Sequence, residues 1–172
     1  MTIGRADKLG ELWDVYDSKK HLTGRTHHRG DKLNDNDFHL VVNALIFKST
    51  DEILLQQRSF EKMSYPGMWT ADTGGSVLAG ETSEEAMVRE LREELQLIVD
   101  ADKLHFFVSR QYADWIEDWY VVRIDASVAN LKRQESEVAS LRWTTLSEAI
   151  KINNHNGFND SELFLTAHSM LF

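Results

Sequence analysis

Apolar residues fall into short runs separated by polar breaks, and the period of each run predicts an element. Polar and apolar residues interchange over Glu11–Tyr16, the pattern of a half-buried strand. Asp17-Ser18-Lys19-Lys20 reads as a turn. The polar stretch 21–37, rich in His, Asp and Asn, reads as loop with a short strand. Phe38–Phe47 predicts a strand, Ser49-Thr50-Asp51 breaks it, and Glu52–Arg58 reads as its returning partner. Tyr65-Pro66-Gly67 marks a turn. Gly74-Gly75 marks a close backbone approach or an unusual dihedral. The spacing then becomes helical from about Ser83 to Gln96, with Thr82 and Glu85 placed as a capping box. His105–Tyr112 and Trp119–Asp125 predict strands, and Leu141–Trp143 a short one. Thr145 caps a helix reaching about Lys151, and Leu163, Phe164, Ala167, Met170 and Leu171 give 161–171 helical spacing.

Strands and helices do not alternate regularly, which excludes a doubly wound fold. The class expected is α/β in the broad sense, α+β in detail: a mixed sheet with helices packed on its faces. A chain of 172 residues fits one domain, with an N-terminal β-hairpin extension at about 10–35.

Charge and composition narrow the chemistry. The formal charge is −9, from 28 acidic and 19 basic residues. Such a surface repels a phosphate backbone, so a nucleic acid duplex is not the expected partner. A small phosphate ligand stays open, because a bound metal reverses the local sign. There is no cysteine, which removes disulfides, thiolate metal sites and cysteine nucleophiles. No apolar run is long enough for a bilayer, and the first thirty residues hold no signal-peptide core, so a cytoplasmic chain is expected.

The informative stretch is Gly75-Ser-Val-Leu-Ala-Gly-Glu81, followed after seven residues by Arg89-Glu90-Leu91-Arg92-Glu93-Glu94-Leu95-Gln96-Leu97. On a helix, Glu90, Glu93 and Glu94 fall within about 100° of arc. Met87, Leu91 and Leu95 form an apolar stripe beside them. Carboxylates at that spacing repel one another. A hard divalent cation relieves the repulsion, and Mg²⁺ prefers oxygen ligands while keeping waters and substrate phosphates in its shell. Arg89 is placed to orient Glu93, and Glu81 sits where the helix N-terminus favours an anion. An acidic, solvated helix face is the plain alternative. Six fixed residues at fixed spacings make chance agreement on the order of one in ten million per starting position at average residue frequencies.

Residues Gly75 to Leu97 resemble the Nudix box, G-x5-E-x7-R-E-U-x-E-E-x-G-U with U apolar. More loosely, Glu11–Gly24, Phe38–Arg58 and Lys62–Trp69 resemble the Nudix branch similar to isopentenyl-diphosphate isomerase. The resemblance implies an α/β/α sandwich. It implies that Glu90, Glu93 and Glu94, with the Gly75 carbonyl, ligate Mg²⁺ or Mn²⁺, and that Arg89 and Glu81 brace the loop and helix. The implied reaction is attack of metal-activated water on a small-molecule diphosphate, such as a nucleoside diphosphate derivative. The family often draws a further acid from a later loop; Glu137 matches that place best and Glu135 is a second candidate. Glu117 and Asp118 are further acids that face either the site or solvent. A homodimer is a family implication, with no membrane association.

One position departs from the motif: Gln96 stands where a second glycine is usual. Either Gln96 adopts the left-handed conformation or the helix ends differently. The isomerase machinery is largely missing. Pro66-Gly67-Met68-Trp69 is present, as are His39 and Glu117, but the cysteine position aligns with Thr73 or Gly74. The alternatives kept are therefore a diphosphate-binding module with weak catalysis and, below it, an isomerase. Arg58, Lys62 and Trp69 are the substrate-binding candidates. Arg25 and Arg29 either reach substrate phosphates or, as the stronger reading, form surface ion pairs. Trp69, Trp115, Trp119, Phe106 and Tyr112 form either a stacking platform for a base or ordinary packing.

Overall fold

In the computed structural model, which describes residues 10–172, the chain begins with β1 (Leu12–Tyr16), β2 (Leu22–His28), β3 (His39–Ser49) and β4 (Glu52–Arg58). It continues through β5 (Trp69–Thr70), β6 (Asp72–Ser76), α1 (Ser83–Leu95), β7 (His105–Gln111) and β8 (Trp115–Arg123), and ends with β9 (Val138–Thr145), α2 (Leu146–His155) and α3 (Ser161–Leu171).

Strand β3 organises the rest. Its period-two alternation sends Leu40, Val42, Ala44 and Ile46 into one core and Leu45 and Phe47 into another. Helix α1 closes the first core with Ala86, Met87, Leu91 and Leu95. Helices α2 and α3 close the second with Ala149, Leu163, Phe164 and Ala167. The result is a sheet between helical layers. Each fully buried Leu, Ile, Val or Phe contributes about 1.5–3 kcal/mol.

One edge of β3 pairs in parallel with the whole of β8, from His39 opposite Trp115 to Phe47 opposite Arg123. The other edge is divided. Phe47 and Ser49 pair with β4, across a register irregularity, while Val41–Leu45 pair antiparallel with β6. Strand β4 then leaves β3 and carries β5 and β9 with it. The sheet forks at this point, and the fork opens the cleft described below.

Several boundaries differ from the sequence expectation. Strand β8 begins at Trp115, not Trp119, because Glu117 and Asp118 interrupt the apolar pattern without interrupting the pairing. Strand β9 spans eight residues, not three. Stretch 21–37 contains the seven-residue β2, solvent-exposed along most of its length. Helix α2 extends to His155. Strands β5 and β6 were not anticipated. In β6 the glycines replace the usual apolar alternation: a Cβ on Gly74 would lie 1.8 Å from the Val42 carbonyl oxygen. Close approach, not a left-handed dihedral, is therefore the reason for Gly74. Gln96 does adopt the left-handed conformation, at φ 50° and ψ 29°. Its N–H donates to the Arg92 carbonyl at 3.0 Å, and the Leu97 N–H donates to the Leu91 carbonyl at 3.1 Å. The helix thus ends in a left-handed αL cap without glycine, closed by the bond from Gln96 to Arg92.

The β1–β2 hairpin docks on the body. Tyr16 and Phe38 exchange backbone hydrogen bonds of 2.8 and 2.9 Å. The Gly80 N–H donates to Asp14 at 2.7 Å. Trp13 stacks on His39 with ring centroids 4.3 Å apart.

Candidate active site

Helix α1 positions the acidic cluster. Thr82 and Glu85 form the expected reciprocal cap, with Glu85 N–H donating to Thr82 Oγ1 and Thr82 N–H to Glu85 Oε2. Met87, Leu91 and Leu95 fix the rotation of the helix by their burial. That rotation turns Glu90, Glu93 and Glu94 toward β6 and the fork. The cleft there holds about 300 Å³, and all three carboxylates line it together with Gly75, Lys62 and Glu137.

Arg89 ties the cluster to its surroundings. Its Nε and Nη2 donate to the two oxygens of Glu81 at 2.7 and 3.0 Å. Nη1 donates to Glu90 Oε1 at 2.7 Å and, at a long 3.5 Å, to Glu93 Oε2. Nη2 also donates to the Ser76 carbonyl at 3.0 Å. One guanidinium therefore joins the loop before the helix, the end of β6 and two carboxylates. Burial pushes the Glu81 carboxyl up, but the Arg89 hydrogen bonds and the Leu78 N–H outweigh it and hold it below its ordinary range.

Glu94 has the opposite environment. It is 8% exposed, and its Oε2 is buried with no hydrogen-bond partner. Burial, then the Glu90 and Glu137 charges, push its carboxyl well above the ordinary value. Glu90 is raised by burial, against the pull of Arg89. Gly75 leaves room for this arrangement, since a Cβ there would stand 2.5 Å from Glu90 Oε1.

The later loop brings the additional acid. Gln134 N–H donates to the Glu94 carbonyl at 2.8 Å and Lys132 N–H to the Leu95 carbonyl at 3.2 Å. These bonds lay the loop along the end of α1 and place Glu137 at the cleft, 2.5 Å from Lys62 Nζ. Glu135 lies outside it, largely exposed and paired with Arg133. Arg58 lines the cleft, its Nε donating to the Ser64 carbonyl at 3.0 Å.

Trp69 lies apart from the cleft. It packs against the second core, with the Arg142 guanidinium 4.8 Å from its ring centroid. Alternation along β8 separates Glu117 from Asp118. Glu117 lines a neighbouring cavity, while Asp118 is buried and bonded to Lys20, Ser83 and Ser109. Arg25, half exposed, pairs with Asp37 at 2.5 Å, and Arg29 pairs with Glu11 at 3.1 Å with both side chains part-buried. Arg29, Glu11 and Trp13 nevertheless line the cleft. Sequence reasoning offered Arg29 as a phosphate contact but missed Glu11 and Trp13, because the long-range docking of the hairpin creates this wall.

The donor set suits a hard divalent cation: carboxylate oxygens, a carbonyl-bearing Gly75 without a side chain, and an unpartnered Glu94 oxygen. Among the described residues, no three His, Asp or Glu side chains stand close enough together, as they are placed, to hold a metal ion.

The geometry agrees with three comparisons. A family model described as NUDIX domain matches residues 37–165. An uncharacterized Nudix hydrolase of Listeria monocytogenes is 33% identical over 86% of this chain and 88% of its own length. The isopentenyl-diphosphate Delta-isomerase of Brevibacterium linens is 30% identical over 64% of this chain and 63% of its own. Among solved structures, DR0079 from Deinococcus radiodurans superposes with a TM-score of 0.73 at 25% identity, covering 90% of this chain and 97% of that one.

Proposed function

The chain belongs to the Nudix hydrolases, and from that premise we propose that its cleft cleaves the diphosphate linkage of a nucleoside diphosphate derivative or a similar small organic diphosphate, with Mg²⁺ or Mn²⁺. The observation that carries this reading is Glu94: a buried carboxylate with an unpartnered oxygen, facing other carboxylates. A buried charge without a partner is costly, and a cation is the partner that suits this donor set.

Glu90, Glu93 and Glu94, with the Gly75 carbonyl, would hold the metal. When bound, it neutralises charge on the phosphates and lowers the pKa of water. Arg89 keeps Glu90 and Glu93 oriented while anchoring β6. Water attacks one phosphorus, the bridging P–O bond breaks, and the electron pair leaves with the other phosphate. Glu137 is the acid placed to accept the water proton on its carboxylate. Lys62, now paired with Glu137, and Arg58 bring positive charge to the phosphates.

Isomerisation is disfavoured despite the isomerase relative. Thr73 and Gly74 occupy the place of the isomerase cysteine, and the sequence contains no cysteine. As part of the same reading, the protein is cytoplasmic and pairs with a second copy. Among the described residues, no helix is long and apolar enough to cross a membrane.

The test is a product-release screen over nucleoside di- and triphosphates, nucleotide sugars, dinucleotides and isopentenyl diphosphate, with and without Mg²⁺. Metal-dependent cleavage that disappears in Glu94→Gln supports the reading. Retained turnover in a folded Glu94→Gln protein removes the site assignment.

A further inference from the structure

The cleft opens into a second cavity of about 520 Å³, and His39, Val41, Asn43 and Arg58 line both. The two spaces differ in character. The second has aromatic walls: Tyr112 lies flat on Trp115, with centroids 4.6 Å apart and planes at 8°. Tyr65 meets Phe158 edge-on at 5.8 Å. Tyr65, Tyr112 and Phe158 are exposed enough to offer ring surface to a ligand.

Two polar groups interrupt these walls. Trp115, Glu117 and Trp119 share one face of β8, and each Glu117 oxygen accepts an indole N–H at 3.0 Å. The two indoles hold the carboxylate in place, yet each oxygen has a second lone pair. Among the described residues no cation pairs with Glu117. Asn153, from α2, lines the same cavity, and its Nδ2 is buried without a partner. The cavity thus combines ring faces, a fixed acceptor and an unused donor.

An alkyl chain leaves Glu117 and Asn153 unpaired, and a sugar lacks a π-face. A flat ring carrying an amine beside an acceptor satisfies every element. Resting on the hydrolase reading above, we propose that this cavity receives the group attached to the diphosphate. It selects an amine-bearing heteroaromatic base, with the amine donating to Glu117 and a ring or carbonyl acceptor facing Asn153. A base with a carbonyl at the amine position sets acceptor against acceptor at Glu117, so cytosine is taken over uracil.

The experiment compares matched ligands. Binding of cytidine and uridine monophosphates to the full chain with Mg²⁺ is followed by tryptophan fluorescence, since Trp115 and Trp119 line the cavity. Hydrolysis of the corresponding diphosphates is measured in parallel. The expected result is a preference of about tenfold or more for cytidine in both affinity and kcat/KM, carried mainly by KM, because a site built to hydrogen-bond one group rejects its counterpart. Glu117→Gln should bring the ratio close to one. Asn153→Ala, a second variant remote from β8, should weaken cytidine binding severalfold, and an unchanged cytidine affinity would remove its donor role. A ratio near one in the wild type, or one that survives in folded Glu117→Gln, overturns the assignment of the ring while leaving the hydrolase intact. Selective cytidine binding without cleavage of any diphosphate overturns the hydrolase reading and keeps the cavity assignment.

Discussion

Two buried carboxylates, Asp118 on β8 and Glu94 on α1, show what satisfaction of a polar group means here. Asp118 is 1% exposed and fully engaged: both oxygens accept from Lys20 Nζ at 2.6 Å, and Ser83 and Ser109 donate as well. Its bonds join the hairpin turn, the start of α1 and β7. Glu94 is 8% exposed, leaves Oε2 without a partner and faces like charges. The first arrangement holds elements together and has no acceptor capacity directed at a ligand. The second is left incomplete by the protein, and a ligand completes it. Burial alone does not separate the two roles; the hydrogen-bond inventory does.

The comparison is broken most severely by truncating Asp118. Asp118→Ala leaves Lys20 and two hydroxyls without their acceptor, and a loss of about 3–5 kcal/mol is expected, the range for breaking a buried pair. Chemical denaturation measures it, and an unchanged midpoint would remove the structural role. Glu94→Gln should act in the opposite sense. Its stability without metal should equal or exceed that of the wild type, while turnover falls on the order of 100-fold or more, since the metal supplies several kcal/mol of transition-state stabilisation. A parallel loss of stability and activity would place Glu94 with Asp118.

Acidity sharpens the contrast. The Glu94 carboxyl is raised by burial and by Glu90 and Glu137, so the folded chain binds its proton more tightly than the unfolded chain does. That contribution to stability is fully present below the ordinary carboxylate pKa and is lost as pH rises through the raised value. In EDTA, the Tm of the wild type should therefore fall relative to Glu94→Gln as pH rises above the ordinary carboxylate range. Mg²⁺ should reverse the fall, and its affinity should weaken toward acid because it competes with the proton. A Tm difference independent of pH would contradict this. The smallest effect is expected at the helix end, where Gln96→Gly relieves a left-handed residue and should stabilise by about 1 kcal/mol with turnover kept.

What was legible in the sequence was local. The rotation of α1, its cap and the three carboxylates follow from residues within one helix, where periodicity alone sets the geometry. Arg89 was legible for the same reason. Strand β6 was not, because Asp72-Thr73-Gly74-Gly75-Ser76 carries no apolar period; its pairing depends on the approach of Val42. The cleft wall from Glu11 and Trp13 was hidden because the hairpin meets β3 only through tertiary docking. Trp69 carried the opposite lesson: an aromatic beside a recognisable turn packs under Arg142. Glu117 and Asp118 were indistinguishable as neighbours in sequence, and one step of strand alternation gave them unrelated surroundings.

The forked sheet has an evolutionary consequence. Strand β3 supports β6 and α1 on one branch, which carry the acidic cluster, while β4 leads the other toward the loop with Arg58, Lys62 and Tyr65. Mutations along the second branch can remodel what enters the cleft without disturbing the helix register or the glycine contacts on the first. Inheritance can then hold one set of residues fixed while lineages explore different ligands with the other, so that a shared chemistry diversifies without being reinvented.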